Sequence, residues 1–199
     1  MLKRFLLPAA FLLAAPAVHA NILLTPTGSP TPDGAGGFNW TYDAFLQPGA
    51  RLVADDAFVL YDVAGLKTAS FMVGPDVPAT PPDSFNVTFP SLGPTPGFLN
   101  PTDTAGLSNV AVTLSGPATI SHPGAVLLLG TLTVDSTFGT AGNLDYGSLS
   151  HKTPTLPLFA FSSVAGPVPE PSTYGFMGIG LAAIAALGLR KTRRGKRTT

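Results

Sequence analysis

Strict alternation of apolar and polar residues is the feature that most constrains the fold of this chain. In FNWTYDA, residues 38–44, every second residue from Phe38 to Ala44 is apolar, and the residues between them are polar. SFNVTF at 84–89 and SNVAVTL at 108–114 show the same period. Because successive side chains of a strand point to opposite faces, this period predicts β-strands with one buried face.

Three further segments also predict strands. AFVLYDV at 57–63 is apolar on both faces, which is typical of a central strand. AVLLLGTLTV at 125–134 predicts a long strand with a bulge at Gly130, and LFAFSSV at 158–164 predicts the last strand. No stretch between residues 21 and 165 has a helical period. The sequence therefore predicts an all-β fold, a single β-sandwich of jelly-roll or immunoglobulin-like type.

Glycine and proline indicate where this domain begins and ends. The chain has 22 Gly and 21 Pro, and eight of the prolines lie between Pro75 and Pro101, which predicts a long loop around the strand at 84–89. We expect a flexible leading segment at 21–37, the sandwich at 38–164 and a Pro-rich linker at 165–173. The chain has no cysteine, so the fold must form without disulfides and thiol chemistry is excluded.

The first 20 residues have the three parts of a secretory signal peptide. Lys3 and Arg4 form a positive region, an apolar run follows from Phe5 to Ala15, and Val18 and Ala20 occupy the positions that signal peptidase reads. Cleavage is predicted between Ala20 and Asn21. An N-terminal membrane anchor is the alternative, but the run is shorter than the ~20 residues that a spanning helix needs.

The other end of the chain predicts a single transmembrane helix. Residues 174–189 carry no charge, and sixteen helical residues extend about 24 Å, slightly less than a hydrocarbon core of ~30 Å. A basic tail follows at 190–199, and the positive-inside rule places it in the cytoplasm. The residues of this topology signal are Arg190, Lys191, Arg193 and Arg194.

A Pro-Glu-Pro motif precedes the apolar segment and the basic tail, and this order of parts resembles the PEP-CTERM sorting signal of Gram-negative bacteria. Residues 168–194 carry the resemblance, with Pro169, Glu170 and Pro171 as the motif, and Glu170 is the only Glu in the chain. The resemblance implies recognition by exosortase, an integral-membrane cysteine peptidase. Cleavage near the motif would then pass the protein to the envelope or to an exopolysaccharide matrix. A plain membrane anchor is the alternative, whereas a sortase signal is disfavoured because no LPxTG precedes the helix.

The charge of the exported part excludes some partners. Residues 21–169 contain ten Asp and only three basic residues, Arg51, Lys67 and Lys152, so the net charge is −7. Nucleic-acid binding needs clustered basic residues, and an anionic membrane surface attracts them. We therefore expect neither nucleic acid nor an anionic lipid surface as a partner of this part.

Candidate catalytic and metal-binding residues are few. His122 and His151 lie in turn-like contexts and are predicted to have no role, and no serine lies in a nucleophile motif. Asp55, Asp56 and Asp62 are the best candidates for Ca²⁺, but six residues of strand extend about 20 Å, too far to share one ion. We expect Asp55 and Asp56 to form a turn instead, with Asp62 bonded to backbone near Gly65. Neither a metal nor a cofactor is expected.

Three hypotheses for function follow. The first is a non-enzymatic surface or matrix protein, sorted by exosortase and associated with exopolysaccharide in a biofilm. The second is a carbohydrate-binding or adhesin module tethered by an unprocessed helix, which requires an exposed ring such as Trp40 or Tyr146; the alternation around Trp40 favours the core. The third is a surface hydrolase, which requires acidic or His groups that converge in a cleft.

Overall fold

The computed structural model describes residues 21–77, 85–93, 103–104, 106–116, 119–122 and 124–168. Within these residues the chain forms twelve strands and no helix. The strands are β1 (Ile22–Pro26), β2 (Thr31–Pro32), β3 (Phe38–Leu46), β4 (Arg51–Leu52), β5 (Ala57–Val63), β6 (Leu66–Val73), β7 (Phe85–Thr88), β8 (Ser108–Leu114), β9 (Ile120–Ser121), β10 (Leu127–Ser136), β11 (Ala141–Thr153) and β12 (Leu156–Pro167).

The first sheet has the strand order β1-β3-β10-β6, and the short strand β2 also pairs with β3. All of these pairs are antiparallel. The register shifts between Leu128 and Gly130 in β10, where the sequence predicts a bulge. Gly130 has φ of 155°, and a Cβ there would lie 2.2 Å from the Met72 carbonyl oxygen, so this close approach of β10 to β6 requires glycine.

The second sheet is built around β11. Strand β5 pairs with residues 146–148 of β11, and β4 pairs with the same strand at His151. Strands β8 and β7 extend the sheet beyond β5, and β9 extends it beyond β4. Strand β12 pairs with β11 along its other edge, from Leu156 to Pro167. The prediction that residues 57–63 form a central strand is therefore confirmed.

The inner faces of both sheets contribute to one hydrophobic core, an arrangement consistent with a β-sandwich. Every second residue of β3 is buried from Trp40 to Leu46, as the alternation predicts. The largest fully buried side chains are Tyr42, Tyr61, Tyr146, Phe58, Ile22, Leu46, Leu52, Leu60, Leu114, Ile120, Leu129 and Leu132. A second, smaller cluster of Val59, Tyr61 and Ala111 packs against Phe161.

Both boundaries of the domain differ from the prediction. Within the leading segment predicted at 21–37, residues 22–26 form β1, which pairs with β3, and residues 31–32 form β2. Ile22 and Leu24 are buried, so β1 belongs to the core. At the other end, β12 extends to Pro167, which takes residues 165–167 into the sheet. Alternation misses these residues because Thr, Pro and Gly obscure the period.

Candidate functional site

The C-terminal end of β12 is where the folded domain meets the segment with the predicted sorting motif. Pro167 is the last residue of the strand, is buried, and lies opposite Ala141 of β11. One residue later, the Val168 N–H donates a hydrogen bond to the Thr140 carbonyl oxygen at 3.1 Å. The fold therefore holds the chain up to Val168, the residue directly before Pro169.

Two glycines permit close packing at this end. A Cβ on Gly142 would lie 2.6 Å from Cγ1 of Val168, so Val168 covers a position where no larger residue fits. A Cβ on Gly166 would lie 2.7 Å from Cδ2 of Leu144 and 3.1 Å from Oη of Tyr42. Residues 166–168 are thus fitted against β11 and the core by the absence of side chains at these two positions.

The predicted processing residues lie beyond this point. Pro169, Glu170 and Pro171, the helix at 174–189 and the basic residues Arg190, Lys191, Arg193 and Arg194 are outside the described residues, as is the signal peptide up to Ala20. Asn21, the residue after the predicted cleavage, directly precedes β1. None of the described residues belongs to a helix with the length and hydropathy needed to cross a membrane.

The sequence predicts a turn at His151, but the residue lies in β11, where it contacts the buried carboxyl group of Asp56. Its Nδ1 lies 2.9 Å from Oδ2 of Asp56, and the Val53 N–H donates to the same oxygen at 2.8 Å. Burial raises the pKa of the Asp56 carboxyl, although the bonds from Val53 and His151 oppose the shift. The pair ties the turn between β4 and β5 to β11.

An Asp–His pair can orient an imidazole for catalysis, but a nucleophile must lie within reach of the other ring nitrogen. Ser148 and Ser150 are near in sequence, yet both are buried on the inner face of β11, whereas His151 is on the outer face. The geometry of the described residues therefore supports a structural role for this pair.

The other predicted metal candidate, Asp62, takes part in a network of hydrogen bonds. The N–H and hydroxyl of Thr104 donate to its two carboxylate oxygens at 2.8 and 2.9 Å, so the predicted bond to backbone near Gly65 is wrong. The Asp62 N–H donates to Oδ1 of Asn109, and Nδ2 of Asn109 donates to Asp103. Among the described residues, no group of three or more acidic or His side chains could hold a metal ion.

Asp55 and Asp56 do form a turn before β5, as predicted, and Asp55 has a positive φ of 70°. The sequence could have indicated the Asp56–His151 contact only indirectly. The exported part has so few cationic groups that each of them is a candidate partner for an aspartate. Which aspartate pairs with which cation depends on the alignment of β4, β5 and β11.

The aromatic residues that a carbohydrate-binding surface would use are in the core. Trp40 is 3% exposed and its indole N–H donates to the Phe138 carbonyl oxygen, while Tyr146 is 1% exposed. Neither ring can stack on a sugar in this fold. The hypothesis of a carbohydrate-binding module therefore loses Trp40 and Tyr146 as its candidate sugar-stacking residues.

Comparisons with known proteins add one finding. The sequence pattern of the PEP-CTERM protein-sorting motif matches residues 167–194. No curated protein and no solved structure gave a significant match to the chain. The motif implies processing by exosortase, a membrane protein, and indicates an exported, membrane-anchored precursor that is sorted to the cell surface. The chain is therefore a PEP-CTERM domain-containing protein, as its C-terminal sequence predicts.

Proposed function

We propose that this chain is a non-enzymatic protein of the cell surface or extracellular matrix, built as a β-sandwich of jelly-roll or immunoglobulin-like type. Residues 1–20 direct its export, residues 174–189 hold the precursor in the inner membrane, and residues 190–199 stay in the cytoplasm. Exosortase then cleaves near Pro169–Pro171 and the domain passes to the envelope or to an exopolysaccharide matrix.

The observation that carries this proposal is the place of the motif relative to the fold. The matched residues begin at Pro167, where the last strand of the domain ends. A motif at this junction separates a folded exported domain from an apolar segment and a basic tail. Cleavage there would release the domain without removing any core residue.

A non-enzymatic role is supported by what the polar side chains of the domain do. The Asp56–His151 pair fixes a turn, and Asp62, Asp103 and Asn109 bind one another and neighbouring backbone. These groups are engaged in holding loops and strands together. Their arrangement favours a stable surface protein over a catalyst.

Intact mass spectrometry of protein from the native envelope and medium tests the proposal. The expected species begins at Asn21 and ends between Pro169 and Thr173. Glu170→Gln should leave the precursor uncleaved, while the matched variant Asp145→Asn, which removes one carboxylate from β11, should be processed normally. The proposal is refuted if every wild-type species retains residues 174–199 and none ends between Pro169 and Thr173; a module tethered by an unprocessed helix is then favoured.

A further inference from the structure

We propose that residues 166–168, here called the exit strap, must unpair from β11 before the chain can be cut near Pro169–Pro171. This inference rests on the proposed processing and concerns how the fold controls it. The sorting motif begins at residue 167 and the fold holds residues up to 168, so the two overlap. Pro167 and Val168 belong at once to the folded domain and to the recognised segment.

The exit strap is held by few and specific contacts. Gly166 and Pro167 lie opposite Gly142 and Ala141, and the Val168 N–H bonds to Thr140. Pro167 has no N–H and cannot donate to the ladder. The last residues of β12 are therefore bound by fewer hydrogen bonds than its middle. Strand ends of this kind separate from the sheet at a low cost in free energy.

Peptidases and other peptide-binding proteins commonly bind an extended segment through its main-chain N–H and C=O groups. From Pro167 to Pro171 only Val168 and Glu170 have an N–H, because the other three residues are prolines. In the folded domain the Val168 N–H is already bonded to Thr140. Half of the donors that this stretch can offer to a peptidase therefore become available only when the exit strap opens.

The short distance between Val168 and the membrane further limits how a membrane peptidase can reach the motif. Residues 169–173 separate Val168 from the apolar segment, and five residues extend at most about 17 Å. A membrane peptidase must therefore approach the motif directly beside the folded domain. Release of residues 166–168 lengthens by more than half the segment that the peptidase can reach, and it lets the folded domain move away from the membrane.

A reducible disulfide between β11 and the exit strap tests whether the exit strap must unpair before cleavage. Ala141 and Pro167 are opposite each other in the ladder, so the double variant Ala141→Cys/Pro167→Cys can form a disulfide across the exit strap. The chain has no other cysteine, and the bacterial periplasm is oxidising. The full chain is expressed in the native host, and the loss of residues 174–199 is measured by pulse-chase labelling and mass spectrometry. We expect the oxidised form to be processed at least tenfold more slowly than the same variant kept reduced.

The reduced variant is the matched control, because both forms carry the same change at residue 167. Equal rates for the oxidised and reduced forms would overturn the proposal. The oxidised fraction is measured by alkylation of the free thiols, so the rate refers to locked molecules only.

A second variant acts on the exit strap from outside the motif. Gly142→Ala places a Cβ where Val168 packs and should displace it, so we expect processing two- to fivefold faster than in the wild type. Gly147→Ala is the control on the same strand, since its Cβ would meet Tyr61 at 3.2 Å, away from the exit strap. Processing of Gly142→Ala at the wild-type rate contradicts the proposal. A wild-type chain that is never cut would instead refute the proposed function.

Discussion

Two aspartates of this domain each bond to a nitrogen of a distant side chain at almost the same distance, but they differ in burial. Nδ1 of His151 lies 2.9 Å from Asp56, and Nζ of Lys67 lies 2.8 Å from Asp33. The Asp56 side chain is 1% exposed, whereas the Asp33 side chain is 10% exposed and its partner Lys67, at the surface of the first sheet, is 30% exposed. The pKa of Asp56 is raised, mainly by burial, and the pKa of Asp33 is held far below its usual range, mainly by the bond from Lys67.

Environment, and not distance, therefore decides whether the charged form of each aspartate is favoured. At Asp56 the loss of hydration outweighs the bonds from Val53 and His151, so the carboxylate form is disfavoured. At Asp33 the N–H groups of Gly37 and Ala35 add to the bond from Lys67 and favour the charged form. Asp56 therefore acts chiefly as an acceptor of hydrogen bonds, and Asp33 acts as a charge.

The largest effect is expected from Asp56→Ala. It leaves the Val53 N–H and the His151 ring without their acceptor, and one orphaned group costs about 1–3 kcal/mol. We expect the free energy of unfolding to fall by about 2–3 kcal/mol, measured by denaturation of the full chain in detergent. Trp40 is the only tryptophan and is buried, so its fluorescence reports the unfolding. Asp33→Ala is the matched control and should destabilise less; an equal loss would break the comparison.

The pH dependence of the two aspartates should have opposite signs. The raised pKa of folded Asp56 means that its contribution to stability is complete below about pH 3.8 and is lost as pH rises through the folded pKa. We therefore expect the stability of the wild type relative to Asp56→Asn to decrease as pH rises above 3.8.

For Asp33 the lowered pKa gives a contribution that is present above about pH 3.8 and is lost as pH falls through the folded pKa. The wild type relative to Asp33→Asn should therefore lose stability as the solution becomes more acidic than pH 3.8. Unfolding curves of both variants across the acid range measure the two slopes. Slopes of the same sign would refute the assignment of burial as the dominant cause at Asp56.

Salt should distinguish the pairs by a smaller margin. Lys67→Met removes the ion pairs with Asp33 and Asp135, and its effect on stability should shrink in 1 M NaCl, where charges are screened within about 3 Å. His151→Gln removes the partner of the buried carboxylate, and its effect should change little with salt. Denaturation at low and high salt gives both differences. Equal salt dependence would mean that solvent reaches both pairs to the same extent.

The smallest effect is expected from Gly37→Ala. A Cβ there would lie 2.3 Å from Nζ of Lys67 and 2.7 Å from Oδ2 of Asp33, so the flexible lysine must move away. We expect a loss of stability smaller than that of Asp33→Ala and a weaker dependence on salt than in the wild type. Gly28→Ala, at a position where a Cβ meets no atom within 4 Å, is the control. A salt dependence that stays unchanged would show that the ion pair re-forms around the new methyl group.

Much of the fold could be predicted because burial on one face leaves a period of two. Strands β3, β5, β8 and β10 lie where alternation or apolar runs place them. Strand β11 was missed, although it is central, because its inner face carries Ser148 and Ser150 beside Leu144 and Tyr146. Strand β6 was missed because it is an edge strand and only partly buried.

The all-β class and the sorting motif follow from local sequence order alone. Strands show a period of two, and the sorting signal is a fixed succession of motif, apolar segment and basic residues. Tertiary structure decided which aspartate is buried, which one is charged, and that Pro167 and Val168 belong to the folded domain. These properties arise from contacts between residues far apart in the chain, such as Asp56 with His151 and Gly142 with Val168. Local pattern contains no information about such contacts, because desolvation and packing depend on what the fold brings next to each group.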